Sequence, residues 1–190
     1  MKRALLFCLL VACAVPAMPQ APGIEPARPE VSVRRVTQDE MHMYEVDAGG
    51  SVQAAPATVW KILTTYDRMN EFVPDLASCR VLSRNGNEAI VEQFGTARFL
   101  FMSKAIHLVV RAVENPMTSI DITLVSGDMK HYESRWELYP MPETGGTRIV
   151  YHGRLMPNFY VPGILGSTMI RSDIERMMRA VLTRIDSKRE

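Results

Sequence analysis

From Gly50 to Tyr160 the chain reads as a helix followed by strands at regular spacing, and it closes with one long amphipathic helix. Alternation is the strongest constraint. Ile106, Leu108 and Val110 fall on one face of a strand, with His107 and Arg111 on the other. Ile120, Ile122 and Leu124 oppose Asp121 and Thr123, and Ile149 and Tyr151 oppose Arg148, His152 and Arg154. A period of two with apolar residues on one side is what an antiparallel sheet with one wet face requires. Its apolar face needs a cover. Ile170, Ile174, Met177, Met178, Val181, Leu182 and Ile185 recur at helical spacing and supply one. A helix from Ile164 to Asp186 would run roughly 34 Å, enough to cross a curved sheet. The expected fold is α+β: a curved antiparallel sheet wrapped around a long C-terminal helix, with an apolar space between them.

The other elements follow from local signals. Val31–Val36 and Met41–Val52 alternate as strands around the polar turn Thr37–Glu40. Pro56 opens a helix, because proline is favoured in a first turn. Asp67 is placed to cap a second short helix through Phe72, which Pro74 ends. Strands are expected over Cys79–Ser83, Ala89–Thr96, Arg98–Met102, Ala105–Val113, Ser119–Val125, Lys130–Leu138 and Thr147–Met156. Asn85-Gly86 is a hairpin signal, and Gly145-Gly146 marks another turn.

Residues 1–17 have the form of a secretory signal peptide. Lys2 and Arg3 precede the apolar run Ala4–Val15, and Val15 and Ala17 stand at −3 and −1 of a cleavage site after Ala17. The run is too short to span a bilayer as a helix, which needs about 20 residues. Leu10-Val11-Ala12-Cys13 also resembles the lipobox of bacterial lipoproteins. Both exported forms stay open: a periplasmic or secreted protein, and one lipid-anchored at Cys13 or otherwise peripheral to a membrane. Residues 18–30, rich in Pro and Ala, read as a spacer, and residues 31–188 as one domain. A domain of roughly 155 residues buries about 70% of its unfolded surface and needs no staple.

Charge and cysteine usage exclude several classes. Loss of Lys2 and Arg3 takes the basic count from 22 to 20, against 21 acids. A mature chain near neutrality argues against a nucleic-acid partner held by electrostatics. Beyond the leader Cys79 is the sole cysteine, so neither an internal disulfide nor a cysteine zinc cluster can form. Cys79 reads as a small buried hydrophobe, and Arg80 and Arg84 as a solvated face.

The run Gly50-Ser-Val-Gln-Ala-Ala-Pro-Ala-Thr-Val-Trp60, Tyr66, Phe72-Val73-Pro74-Asp75 and Val81-Leu82-Ser83-Arg84 resembles the START-like (SRPBCC) superfamily. Within it the chain is similar to the polyketide cyclase/dehydrase and coenzyme Q-binding group. Gly127-Asp128, Trp136 and Gly145-Gly146-Thr147-Arg148 continue the likeness, which covers about residues 31–188. The resemblance implies a helix-grip fold, a seven-stranded sheet holding a C-terminal helix around a hydrophobic tunnel. It also implies a lipid, isoprenoid quinone or polyketide as ligand, often without catalysis.

The inward phase of the strands holds no His, Asp, Glu, Lys or Arg, whereas acid–base catalysis needs a titratable group beside the reacting atom. The candidate ligand-binding set is Ile106, Leu108, Val110, Ile122, Leu124, Tyr132, Trp136, Tyr151, Met169 and Met177. Tyr132, Ser134 and Tyr151 offer orienting hydroxyls, although the same residues also suit a plain core. The 13 methionines in 190 residues suit a space that adapts to varied apolar shapes, with Met129, Met169, Met177 and Met178 as its candidates. No cofactor motif is present. His131 and His152 are expected as neighbours on adjacent strands without completing a metal site. Met41-His42-Met43 cannot converge on one ion, since adjacent strand residues point apart.

The expected function is an exported carrier or binding protein for a hydrophobic small molecule or lipid, with no catalytic residue assigned. A cyclase/dehydrase-type enzyme is the first alternative, with Glu92 as its best carboxylate, and a protein-interaction module is the second. The oligomeric state is open.

Overall fold

A computed structural model describes residues 28–38, 41–99, 102–161 and 165–188. The expected signal peptide and most of the spacer lie outside the described residues. An N-terminal pair, β1 (Glu30–Gln38) and β2 (Met41–Val52), leads to helix α1 (Pro56–Thr64) and a 3-10 segment at Tyr66–Glu71. Six strands follow: β3 (Leu76–Asn85), β4 (Glu88–Phe99), β5 (Met102–Asn115), β6 (Ser119–Gly127), β7 (Met129–Met141) and β8 (Gly146–Pro157). Helix α2 (Gly166–Asp186) closes the chain.

All eight strands form one antiparallel sheet in the order β1-β2-β8-β7-β6-β5-β4-β3. The architecture is the expected α+β helix grip, with eight strands in place of the seven the resemblance implied. The extra edge strand is β1, zipped to β2 over nine paired positions from Glu30↔Gly49 to Gln38↔Met41. Arg98–Met102 is not a separate strand. Arg98 and Phe99 end β4, Met102 begins β5, and Arg98↔Ser103 and Phe99↔Met102 are the last pairs of that hairpin.

Asp67 does not cap the 3-10 segment. Its N-cap is Thr65, without a side-chain hydrogen bond. Asp67 Oδ1 instead accepts the Val81 N–H at 2.8 Å, where β3 shifts register between Val81 and Ser83. The Asn85-Gly86 signal does mark the β3–β4 turn, with Gly86 at φ 55. At the β6–β7 turn Gly127 has φ 130, and a Cβ there would run into the backbone of His107 and Leu108. Glycine therefore lets Asp128 reach β5, where its N–H donates to His107 O at 2.9 Å and its Oδ2 accepts the His107 N–H at 2.9 Å.

Helix α2 spans about 32 Å and packs on β1 and β2. Close approach is possible because β2 carries glycine under it: a Cβ on Gly50 would sit 2.5 Å from a Leu182 methyl. Burial along α2 is graded. Met178, Val181, Leu182 and Ile185 are fully buried and Gly166 is buried against Tyr44 at the other end, whereas Ile170, Ile174 and Met177 between them are only partly covered.

Candidate functional site: an apolar cavity under the C-terminal helix

The inner faces of β4–β8 do not fill the space beneath α2. A cavity of about 140 Å³ remains, close to the size that takes a benzene-like molecule. The sheet contributes Val91, Gln93, Val110, Ala112, Ile122, Tyr132, Trp136 and Tyr151 to its wall. Met177 and Val181 come from α2, Leu63 from α1, Tyr66, Met69, Phe72 and Val73 from the segment after it, and Leu76 from the start of β3. Among the described lining residues there is no Asp, Glu, His, Lys or Arg.

Six of the ten expected residues meet at this wall: Val110, Ile122, Tyr132, Trp136, Tyr151 and Met177. Leu108 is buried in the adjoining core, and Ile106 and Leu124 pack partly buried against it. Met169 is half-buried and lies outside the lining. Met178 is buried in the core and Met129 packs partly buried against it, so of the four candidate methionines Met177 reaches the wall. The sheet alternation could not reveal the α1 side. Tyr66, Met69, Phe72 and Val73 lie in a 3-10 segment and its exit, where no two-residue period applies.

Two polar groups face this region. On β7 and β8, Ser134 pairs with Gly153 and Trp136 with Tyr151. The absence of a side chain at Gly153 leaves room for the Tyr151 hydroxyl, since a Cβ there would lie 2.9 Å from it. Ser134 Oγ donates to Tyr132 Oη at 3.4 Å, and the Trp136 and Tyr151 rings are tilted 60° at 4.8 Å. Burial, reinforced by Tyr132, pushes the Tyr151 hydroxyl well above the usual tyrosine range, while Ser134 works against it. Tyr151 therefore stays a neutral hydrogen-bonding group.

The second group corrects the reading of the inward phase. Glu114 lies on the same face of β5 as Val110 and Ala112 and is 8% exposed, one residue beyond the expected strand end at Val113. Tyr66 Oη donates to Glu114 Oε1 at 2.9 Å, and Arg84 Nη1 donates to the same oxygen at 3.0 Å. Arg84 also lies over the Tyr66 ring, 5.6 Å from its centroid. Burial first, and then the hydrogen bond to Glu114, hold Tyr66 protonated far above its ordinary range. Arg84 is thus more than a solvated face: it neutralises a buried carboxylate.

Glu92 lies between Val91 and Gln93 and takes the outer face. Its carboxylate accepts Arg80 Nη2 at 2.7 Å and contacts His107 Nε2 at 3.2 Å. The Arg80 hydrogen bond leads the influences that hold it below the usual carboxylate range. His107 stacks on Phe94 with centroids 4.3 Å apart. His131 pairs across the sheet with Met156, and His152 with Arg135, so the two histidines are not neighbours. Cys79 is buried, as expected, with Gln93 Nε2 3.8 Å from its sulfur.

A larger hollow of about 400 Å³ lies on the outer face of β2, β8, β7 and β6. Its charges already pair with one another, Arg135 with Asp121, His152 with Asp47 and Arg154 with Glu133. Such exposed pairs are worth about 0–1 kcal/mol each, and the surface presents no net preference for a charged ligand.

An apolar cavity enclosed by an antiparallel sheet and a gripping C-terminal helix defines the START-like class. The sequence matches the family model for polyketide cyclase/dehydrase and lipid transport over residues 52–182. The chain belongs to that family. Its fold is similar to a STAR-related lipid transfer protein from Xanthomonas axonopodis, with a TM-score of 0.68 at 16% identity, covering 88% of this chain and 96% of that one. It is also similar to the Zhui aromatase/cyclase from a Streptomyces species (TM-score 0.65, 15% identity, 77% and 96% covered). A START superfamily protein from Mycobacterium smegmatis gives a TM-score of 0.66 at 16% identity, with 75% and 97% covered. No curated protein matches the sequence.

Proposed function

We propose that this protein is an exported carrier that holds a hydrophobic small molecule or lipid in the cavity between the sheet and α2. The observation that carries the reading is the lining, mostly apolar, with Gln93 and three tyrosines as its polar members and without a charged residue among those described. Apolar ligand surface leaves water there at about 25 cal/mol per Å². The hydroxyls of Tyr132 and Tyr151 orient it, with Ser134 behind them donating to Tyr132, as a few convergent polar groups do in small-molecule sites. Catalysis of the cyclase type needs an acid or base within reach. Glu92 faces outward, and Glu114 is engaged by Arg84 and Tyr66. The family's lipid-transport description supports carriage, and the leader-like residues 1–17 support export, with a periplasmic or lipid-anchored location.

The test is to purify the protein from its own envelope and analyse what it releases on denaturation by mass spectrometry. A reproducible apolar compound at near-stoichiometric yield is the expected result. In parallel, an apolar fluorescent probe is titrated against the Trp60→Phe variant, whose remaining tryptophan is Trp136 on the cavity wall. Saturable binding with a change in Trp136 emission is expected. Absence of both results, or release of a compound chemically altered by the protein, would overturn the carrier reading.

A further inference from the structure

We propose that the ligand carries an anionic head read outside the cavity by an arginine groove on α2, with Phe72 as the gate between groove and cavity. The proposal rests on the carrier reading and names its ligand class: a single-chain amphiphile ending in carboxylate or phosphate. Size is the first argument. A cavity of about 140 Å³ is too small for a whole lipid and takes at most part of its tail, but two hollows of about 720 and 500 Å³ lie directly outside. Phe72 is the lining residue that the cavity shares with each of them. A tail that displaces its ring would run from the surface into the cavity.

Charge is the second argument. The groove is lined by Arg176, Arg179 and Arg184, and the neighbouring hollow adds Lys61, Arg68 and Lys188, against the single carboxylate Glu175. Partners outside the lining compensate some of them. Arg176 is held by Asp75 and Asp173, and Glu71 contacts both Arg68 and Arg184. Arg179 makes no ion pair among the described residues. Guanidinium groups match the geometry of carboxylate and phosphate in paired hydrogen bonds, and an uncharged head would gain nothing from them.

Geometry links the two. The Arg184 guanidinium lies over the Phe72 ring, 5.6 Å from its centroid, an attraction that holds the ring in place. A head group that engages Arg184 competes for that guanidinium and loosens the ring. Anion recognition and opening of the cavity are then coupled.

The experiment uses the full-length chain and an apolar probe, displaced by dodecanoate, dodecyl phosphate, dodecanol or dodecyltrimethylammonium below their micelle concentrations. Both anions are expected to compete about tenfold better than dodecanol, the value of one charge-assisted hydrogen bond, and the cation worst. Added salt should shrink the advantage. Arg179→Gln, at an exposed position and checked by circular dichroism, should reduce it, and the Arg179→Gln, Arg184→Gln double variant should abolish it. Phe72→Ala should accelerate probe exchange in stopped flow while keeping the anion preference. Carboxylate and phosphate arms separate a fatty-acid-like from a phospholipid-like head. Equal competition by dodecanol, or full anion preference in the double variant, would sink the groove reading while leaving the carrier reading intact. If no chain of any head group displaces the probe, both readings fall together.

Discussion

The hydroxyl of Tyr66 and the carboxylate of Glu114 are joined by a 2.9 Å hydrogen bond across 48 residues of sequence. The bond ties the 3-10 segment to the last inner-face position of β5 and fixes one wall of the cavity. Tyr66→Phe removes a donor from a buried carboxylate and should destabilise the fold by about 1–3 kcal/mol. Arg84 remains as a partner, so the variant should still fold. Urea denaturation of the two proteins measures the difference. A loss below a few tenths of a kcal/mol would mean that Arg84 alone satisfies Glu114.

Ala112 is 1% exposed and faces the cavity, so Ala112→Leu adds apolar volume to existing space. Melting temperature is expected to hold or rise, and probe affinity to fall by about tenfold or more, as removing a well-filled apolar contact of about 1.4 kcal/mol does. A solid core would give the reverse pattern, a loss of about 1–3 kcal/mol from overpacking. Calorimetry and probe titration on one sample separate the cases.

Gly50 is where β2 lets α2 approach. The nearest Leu182 methyl would sit 2.5 Å from an added Cβ, and Leu182 is 1% exposed. Gly50→Ala should destabilise by about 1–3 kcal/mol, and Leu182→Ala combined with it should cost less than the sum of the two single changes. A double-mutant cycle in denaturant reads this coupling directly.

Cys79 makes a pH prediction. Burial raises its thiol from 9.0 to about 11, with the Gln93 side chain opposing the shift. A raised acid favours the folded state while the thiol is protonated. That stability is complete below pH 9 and is lost as pH climbs toward 11, because the unfolded chain ionises first. Denaturation at stepped alkaline pH should show a steeper decline in the parent than in Cys79→Ala. In the native state at pH 8 the thiol should resist alkylation, and urea should expose it.

The sheet was legible because its alternation is long and clean, as in Ile120, Ile122 and Leu124, and α2 was legible from seven apolar residues on one stripe. What stayed hidden had no period to reveal it. Placing the end of β5 at Val113 concealed Glu114, since one further turn of the pleat puts a carboxylate on the inner face. The apolar run through Phe99-Leu100-Phe101-Met102 obscured where β4 ends and β5 begins, so the ends of two paired strands were read as one short strand. Tyr66 and Met69 lie in a 3-10 segment and Phe72 caps its exit, and their place on the cavity wall follows from its docking against the sheet. Asp67 looked like a cap because the sequence does not show that a β3 backbone N–H lies within its reach.

The graded burial along α2 has a dynamic consequence. Opening free energies in a native protein rise with local burial, so amide hydrogens from Ser167 to Ile174 should exchange with solvent through small fluctuations that leave Met178–Ile185 protected. The helix would then be pinned at two places, at Met178–Ile185 over Gly50 and at Gly166 against Tyr44, with the stretch between them free to breathe.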